Sequence, residues 1–191
     1  MVRIMKKCIL IISLFIVTLS VNAQGSRSPV DSAKLASAKK QLTTFFSALN
    51  AAKMDSIFKG EPVTILAPDD QAFAKLPAGT LDSLLKPANK ITLTNQVALA
   101  NLLFAHIIVG KLSSKDVAKL IHENNGQAIF TTIDSIRLTA KIDANRNIVL
   151  TDDSGNKFIV KQFDIPDGNA VIFIISSVIP PKKMEFKVML R

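Results

Sequence analysis

Two imidazoles, one thiol and a few carboxylate clusters are all that this 191-residue chain offers for chemistry. The stretch His122-Glu123-Asn124-Asn125-Gly126 begins like the helix of a zinc protease, where two imidazoles four residues apart share one face and a glutamate acts as base. Its fifth position is Gly126, so the second imidazole is missing and the motif reads as a helix end. His106 is distant in sequence, and two separated histidines do not make a metal site. Asp143-Ala144-Asn145-Arg146-Asn147 copies the first three oxygen ligands of a calcium loop. Position six, however, is Ile148 where glycine is needed, and position twelve is Ser154 where a bidentate glutamate is needed. That segment reads as a hairpin turn, and the adjacent pair Asp152-Asp153 as a solvated one. No Gly-x-Ser-x-Gly elbow and no glycine-rich phosphate loop occurs. The pattern points away from an enzyme, with no catalytic residues, no metal and no other cofactor expected.

The formal charge is +9, from 24 basic and 15 acidic residues. Arg3, Lys6 and Lys7 precede an apolar run from Cys8 to Leu19, and Val21-Asn22-Ala23 supplies short side chains before Gln24. This is the layout of a secretory signal over residues 1–23, and the run is shorter than the roughly 20 residues a spanning helix needs. A secreted protein of the periplasm or the cell exterior is expected, with no transmembrane anchor after cleavage. Cys8 is the only cysteine, so the mature chain has no disulfide, thiolate nucleophile or thiolate metal site. Stability must then come from the core, which one domain of this length can supply. Removing Arg3, Lys6 and Lys7 from the 24 basic residues leaves 21 against 15 acidic ones, a charge of about +6. An excess of this size permits attraction to acidic polysaccharide or anionic headgroups. Nucleic acid is not expected as a partner, because the lysines are spread along the chain and there is no Trp or Tyr to stack on bases.

The elements follow in order. Residues 24–30 read as a flexible leader. From Asp31 to Ala51, Leu35, Ala38, Leu42, Phe45, Phe46 and Leu49 recur at helical spacing. Val63 to Leu66 is a β-prone run that must end at Pro68, after which Asp69 or Asp70 can cap a short helix carrying Ala72, Phe73 and Leu76. Thr80 can cap a helix through Leu85, and Thr94 one whose apolar residues surround it and call for burial. His106 falls on an expected short strand, Ala105 to Val109. Ser113 with Asp116 makes a capping box for the next helix, which Gly126 stops. Beyond it the period is two: Ile136, Leu138, Ala140 and Ile142 alternate with polar residues, and turn clusters separate the runs Ile148 to Thr151, Lys157 to Ile165 and Ala170 to Ile179. A helical first half and a mainly antiparallel second half make an α+β domain over residues 31–181. In the tail, residues 182–191, Met184, Phe186, Val188 and Leu190 recur at strand spacing, which suggests an extra strand.

Thr64, Ala67, Pro68, Asp70, Ala72 and Phe73 match the first signature box of the fasciclin-like domain family, Thr-x-Phe-Ala-Pro-x-(Asn/Asp)-x-Ala-Phe, with Leu66 at the position of its first Phe. Gly79-Thr80-Leu81, Leu102 to Leu112, Asp164-Ile165 and Asn169 to Pro181 follow in the family's order, so the chain resembles one complete domain of the single-domain secreted bacterial type. The resemblance implies a β-wedge of two mainly antiparallel sheets with helices packed along its edge. It also implies a non-enzymatic adhesion module that binds surface or matrix proteins or polysaccharides. A small-molecule or carbohydrate-binding protein of the cell envelope is the alternative, and a deep apolar cavity near His106 would favour it. A hydrolase would need an exposed Ser beside His106. The family usually carries a Tyr-His pair here, and Ala105 replaces the Tyr. His106 is expected to bond a carbonyl or carboxylate beside the Pro68 corner. In the second box, Phe173 and Ser176 replace the family's His and Asp. Asp164 and Ile165 overlap the core of a peptide that certain animal members present to integrins, and so mark an expected adhesion surface.

The exported protein is expected to begin at Gln24. Intact-mass measurement of the exported material checks this, and a mass retaining residues 1–23 in a membrane fraction would mean an uncleaved anchor.

Overall fold

The computed structural model describes residues 28–77, 79, 80, 85 and 93–182. The expected signal, most of the leader, the interior of the helix from Thr80 to Leu85 and the tail after Lys182 lie outside the described residues.

α1 (Pro29–Lys39) and α2 (Thr43–Ala51) are followed by a 3-10 turn, Asp55–Phe58. Then come β1 (Val63–Pro68), α3 (Asp70–Ala74), α4 (Leu93–Phe104), β2 (Ile107–Val109) and α5 (Ser114–Glu123). Five strands complete the order: β3 (Ala128–Thr131), β4 (Arg137–Ile142), β5 (Ile148–Asp152), β6 (Lys157–Asp167) and β7 (Ala170–Ile175). The sheet runs β2-β1-β7-β6-β5-β4-β3, antiparallel throughout except for the parallel pair β1/β7. It nearly closes on itself, because Ile108 bridges Thr132 and the Ile133 amide donates to the Ile107 carbonyl at 2.8 Å. Two halves share β6. Its start, Lys157 to Ile159, pairs with β5, and from Val160 onward it pairs with β7, with register shifts between them and Asp164 at φ 57°. The extra residues at those shifts bend the strand, so one continuous strand serves both sheets of the wedge.

Every residue of β1 and β7 is buried. Val63, Ile65 and Ala67 with Ala170, Ile172 and Ile174 face a first core built with Leu35, Leu42, Phe45, Leu49 and Leu103 of the helical layer. Leu66, Val171, Phe173 and Ile175 face a second core between the sheets, with Val117 and Ile121 of α5 and Leu138, Leu150 and Phe158. Burial on both faces explains why these two runs are apolar without alternation. Each fully buried Ile or Phe there contributes about 1.5–3 kcal/mol.

Several boundaries differ from the sequence reading, each for a local reason. α1 begins at Pro29, since Pro suits the first helical turn and the Ser28 hydroxyl accepts from the Asp31 amide at 3.1 Å. The expected leader residues Pro29 and Val30 are therefore helical. The single helix expected to Ala51 is broken at Lys40 to Leu42. Leu42 cannot cap α2, and the Asp70 carboxylate caps it from across the chain instead, accepting from the Thr44 amide at 2.8 Å, the Thr43 hydroxyl at 2.7 Å and the Thr43 amide at 3.3 Å. Val97 of α4 is 47% exposed, so that helix is not buried all round. Ile142 keeps the inward phase of β4 but lies at its end, where it is 46% exposed. The last strand ends at Ile175 and β6 runs on to Asp167. The capping box of Ser113 and Asp116 forms as expected.

Replacement of Asp70 by Ala is expected to lower stability by about 1–2 kcal/mol, the usual loss for a helix cap. Denaturant titration reads this as a lower midpoint at unchanged slope.

Candidate functional site

His106 occupies the turn between α4 and β2, one residue before the strand on which it was expected, and is 1% exposed. One ring nitrogen, Nδ1, lies 2.7 Å from the Leu102 carbonyl, and the Ile179 amide donates to the other, Nε2, at 2.9 Å. An amide can only donate, so Nε2 is the bare nitrogen and the ring proton sits on Nδ1, where Leu102 accepts it. The ring is neutral. Burial pushes its pKa down to about 4, against the opposing pull of the Leu102 carbonyl, which favours the charged form. Phe45 stands edge-on at 6.3 Å between ring centroids. The expected carbonyl partner is that of Leu102, in α4, and a second main-chain group, the Ile179 amide, joins it. The chain leaves the sheet after Ile175, the Ile179 amide has no ladder partner, and His106 supplies one. With both ring nitrogens committed to the backbone, the lone pair on Nε2 is held by the Ile179 amide and is not free to act as the base of a Ser-His hydrolase.

At the Pro68 corner the two aspartates divide the work. Asp69 caps α3, accepting from the Ala72 amide at 2.7 Å, and its second oxygen pairs with Lys161 of β6. Asp70 caps α2. Burial works to raise the Asp70 pKa, but the hydrogen bonds from Thr44 and Thr43 outweigh it and hold the carboxyl below its ordinary value. Thr64, 1% exposed, donates to the Gly110 carbonyl at 2.7 Å and accepts from the Leu112 amide at 2.9 Å, holding the loop after β2. Ala67 and Phe73 are buried, and Pro68 is the last residue of β1, opposite Ile175. Asn169 donates to the Gly60 carbonyl at 2.8 Å.

Asp164 and Ile165 do not form the expected adhesion surface. Ile165 is fully buried in the first core, and the Asp164 carboxylate accepts from the amide and hydroxyl of Ser114 at the start of α5. The bulge in β6 turns Asp164 toward α5, and Lys34 donates to the Phe163 and Asp164 carbonyls beside it. The calcium-like turn is likewise self-contained: Asp143 accepts from the Asn145 and Asn147 amides and the Asn147 side chain. Hydrogen bonds from Asn147 keep its pKa low. Asp152 repeats the arrangement with Ser154 and Asn156. Among the described residues no group of three His, Cys, Asp or Glu side chains could hold a metal. Nor does any buried side-chain nitrogen or oxygen there lack a partner.

Residues 40–181 match the family model of the fasciclin domain. The chain belongs to the fasciclin domain family. It is 31% identical over 169 residues to protein sll1483 of Synechocystis, covering 86% of this chain and 83% of that protein. It is 28% identical over 172 residues to the immunogenic protein MPB70 of Mycobacterium bovis, covering 84% and 73%. Among solved structures it resembles the FAS1 domain pair of the insect cell adhesion molecule Fasciclin I, with a TM-score of 0.52 and 22% identity. That match spans 74% of this chain and 45% of the insect one.

In this fasciclin domain the signature residues form separate ties and do not converge on one pocket. Its sizeable openings include three surface clefts of about 490, 380 and 340 Å³, and His106 lines none of them. A void beside Leu66, Val117, Leu150 and Phe173 in the second core measures about 10 Å³ and has apolar walls, too little for more than one water. The ties that the sequence did not reveal, His106 with Ile179, Asp69 with Lys161 and Asp164 with Ser114, span 50 to 92 positions. No local pattern signals contacts of that separation.

The buried neutral His106 makes stability fall on mild acidification. Its folded pKa of about 4 lies below the ordinary 6.5, so its contribution is present above pH 6.5 and is lost as pH falls toward 4. The loss is about 3 kcal/mol over that window. Replacing His106 with Leu is expected to cost about 1–3 kcal/mol at pH 7, because the Ile179 amide loses its acceptor and the Leu102 carbonyl its donor. The same substitution should flatten the profile between pH 6.5 and 4, which denaturant titrations across that range measure.

Proposed function

We propose that this fasciclin domain is an exported, non-enzymatic binding module of the periplasm or cell surface that attaches to surface or matrix proteins or polysaccharides. One observation carries the reading: the polar side chains of the signature boxes, Thr64, Asp70 and His106, are spent on partners within the domain, most of them main-chain groups, which leaves outer surfaces for contact with other molecules. The cell-adhesion character of the family supports it, as does the kinship of fold with an insect adhesion molecule. Among the described residues no helix is long and apolar enough to cross a membrane. The rival small-molecule reading calls for a deep apolar cavity with converging polar groups, whereas the clefts are open and the void in the core is minute.

Cross-linking the exported full-length protein on intact cells is expected to capture an envelope component. His106→Leu, measured on its folded fraction, should capture it equally well. Failure to capture any envelope component, or loss of capture in folded His106→Leu, would sink this reading.

A further inference from the structure

We propose that the outward face of β3 to β6 is a binding surface for an acidic polysaccharide, a linear polymer bearing carboxylates. The proposal rests on the binding-module reading and names its partner class.

Strand register defines this face. Ala128, Leu138, Ala140, Leu150 and Phe158 point into the second core, so their neighbours point out. Ile129, Thr139, Thr151 and Lys157 form one row across the four strands, and Lys141, Val149 and Ile159 form the next. α5 packs Val117 and Ile121 onto the inner side, and α1 covers β6 only beyond its bulge, through Leu35, Ala38 and Ile165. Among the described residues no helix lies over the outer side. Ile129 is 58% exposed there and Ile159 41%.

The chemistry of the face selects its partner. Outward positions on these strands carry Arg137, Lys141 and Lys157 and no carboxylate before Lys161. Arg137 is tied to Asp153 at 2.8 Å and Lys161 to Asp69, while Lys141 and Lys157 have no ion pair among the described residues. The nearest other acids, Asp143 and Asp152, point into their own turns. Lys141 and Lys157 lie two strands and one row apart, which places their Cα atoms about 12 Å from one another. Thr139 and Thr151, directly opposed, share the row of Lys157, with Thr139 two residues from Lys141 on β4, and their hydroxyls can donate to and accept from sugar hydroxyls. Ile129, Val149 and Ile159 add a low apolar floor for sugar C–H groups.

Other occupants fit less well. Protein interfaces rely on Trp, Tyr or free Arg anchors, and this face has none. Its two rows carry no Leu, Phe or Trp to enter a bilayer and no aromatic ring to stack on a base, and Phe163, 45% exposed, lies further along β6 against Phe173. A second copy docked face to face would bring lysines against lysines.

The test is titration of the exported full-length protein with soluble polygalacturonate at several salt concentrations. Binding should weaken with salt, and the double variant Lys141→Gln/Lys157→Gln should raise Kd by about tenfold or more and flatten the log–log salt slope by about 1 to 2. Thr139→Val/Thr151→Val should raise Kd by about fivefold with the slope unchanged. The control pair Lys115→Gln/Lys119→Gln, on the exposed side of α5, should stay within about twofold. Each variant is checked for an unchanged thermal midpoint, and Lys157→Glu serves as a second probe should the double variant fold poorly. The proposal is overturned by absence of polygalacturonate binding at low salt, by an equal loss in the control pair, or by equally tight binding of neutral dextran. Tighter binding of anionic vesicles or an acidic protein through the same lysines would also overturn it. If the protein still captures an envelope component on cells but ignores polygalacturonate, this inference falls and the binding-module reading stands. If it does neither, both fall.

Discussion

The parallel pair β1/β7 is buried on both faces, and that burial dictates much of what surrounds it. Beyond their far ends Asp69 and Ile179 are buried as well, so a main-chain group that leaves the ladder there needs a partner from the protein. Thr64 serves the loop beyond β2 and Asp69 the start of α3, while His106 takes the amide of Ile179 after β7. These side chains are few and polar, and they sit where an apolar replacement would leave a buried donor alone. Hydrophobic burial supplies the bulk of the stabilisation, and the polar ties select which arrangement of the same apolar surface is adopted.

The same constraint shapes what the domain can do. A histidine that holds two backbone groups and an aspartate that caps a helix are not free to bind or transfer protons. The signature boxes of this fasciclin domain therefore describe how it is built more than what it touches. In the proposed reading recognition falls to the outside, where strands present alternate residues to solvent and a bent β6 spreads two sheets apart. Such a division lets the outward residues vary without disturbing the two cores, since outward and inward positions alternate along each strand.

Much of the fold was legible because it rests on local pattern. The run Val63 to Leu66 with its stop at Pro68, the Ser113 capping box, and the alternation through Leu138 and Ala140 each announce an element through neighbours a few residues away. The Asp143 and Asp152 turns were readable for the same reason, since an aspartate bonding amides two and four residues on is a local device. The break between α1 and α2 was not readable. Leu42 carries no stop signal, and the carboxylate that starts the second helix arrives from position 70. His106 was recognised as a buried structural residue bonded to a carbonyl, but the Ile179 amide was not foreseen, because it lies 73 residues away.

By itself, the sequence determined most element types, the α+β class and the family, all of which depend on residue type and short-range spacing. Only the tertiary structure decided the register of β1 beside β7, the bend of β6 and the committed state of His106, Asp70 and Asp164. It also removed Asp164 and Ile165 from the surface, by burying one and tying the other to Ser114. The physical reason is that a side chain's chemistry depends on what it is bonded to. For these residues the partner stands 26 to 73 positions away, brought close only when the two cores close around β1 and β7.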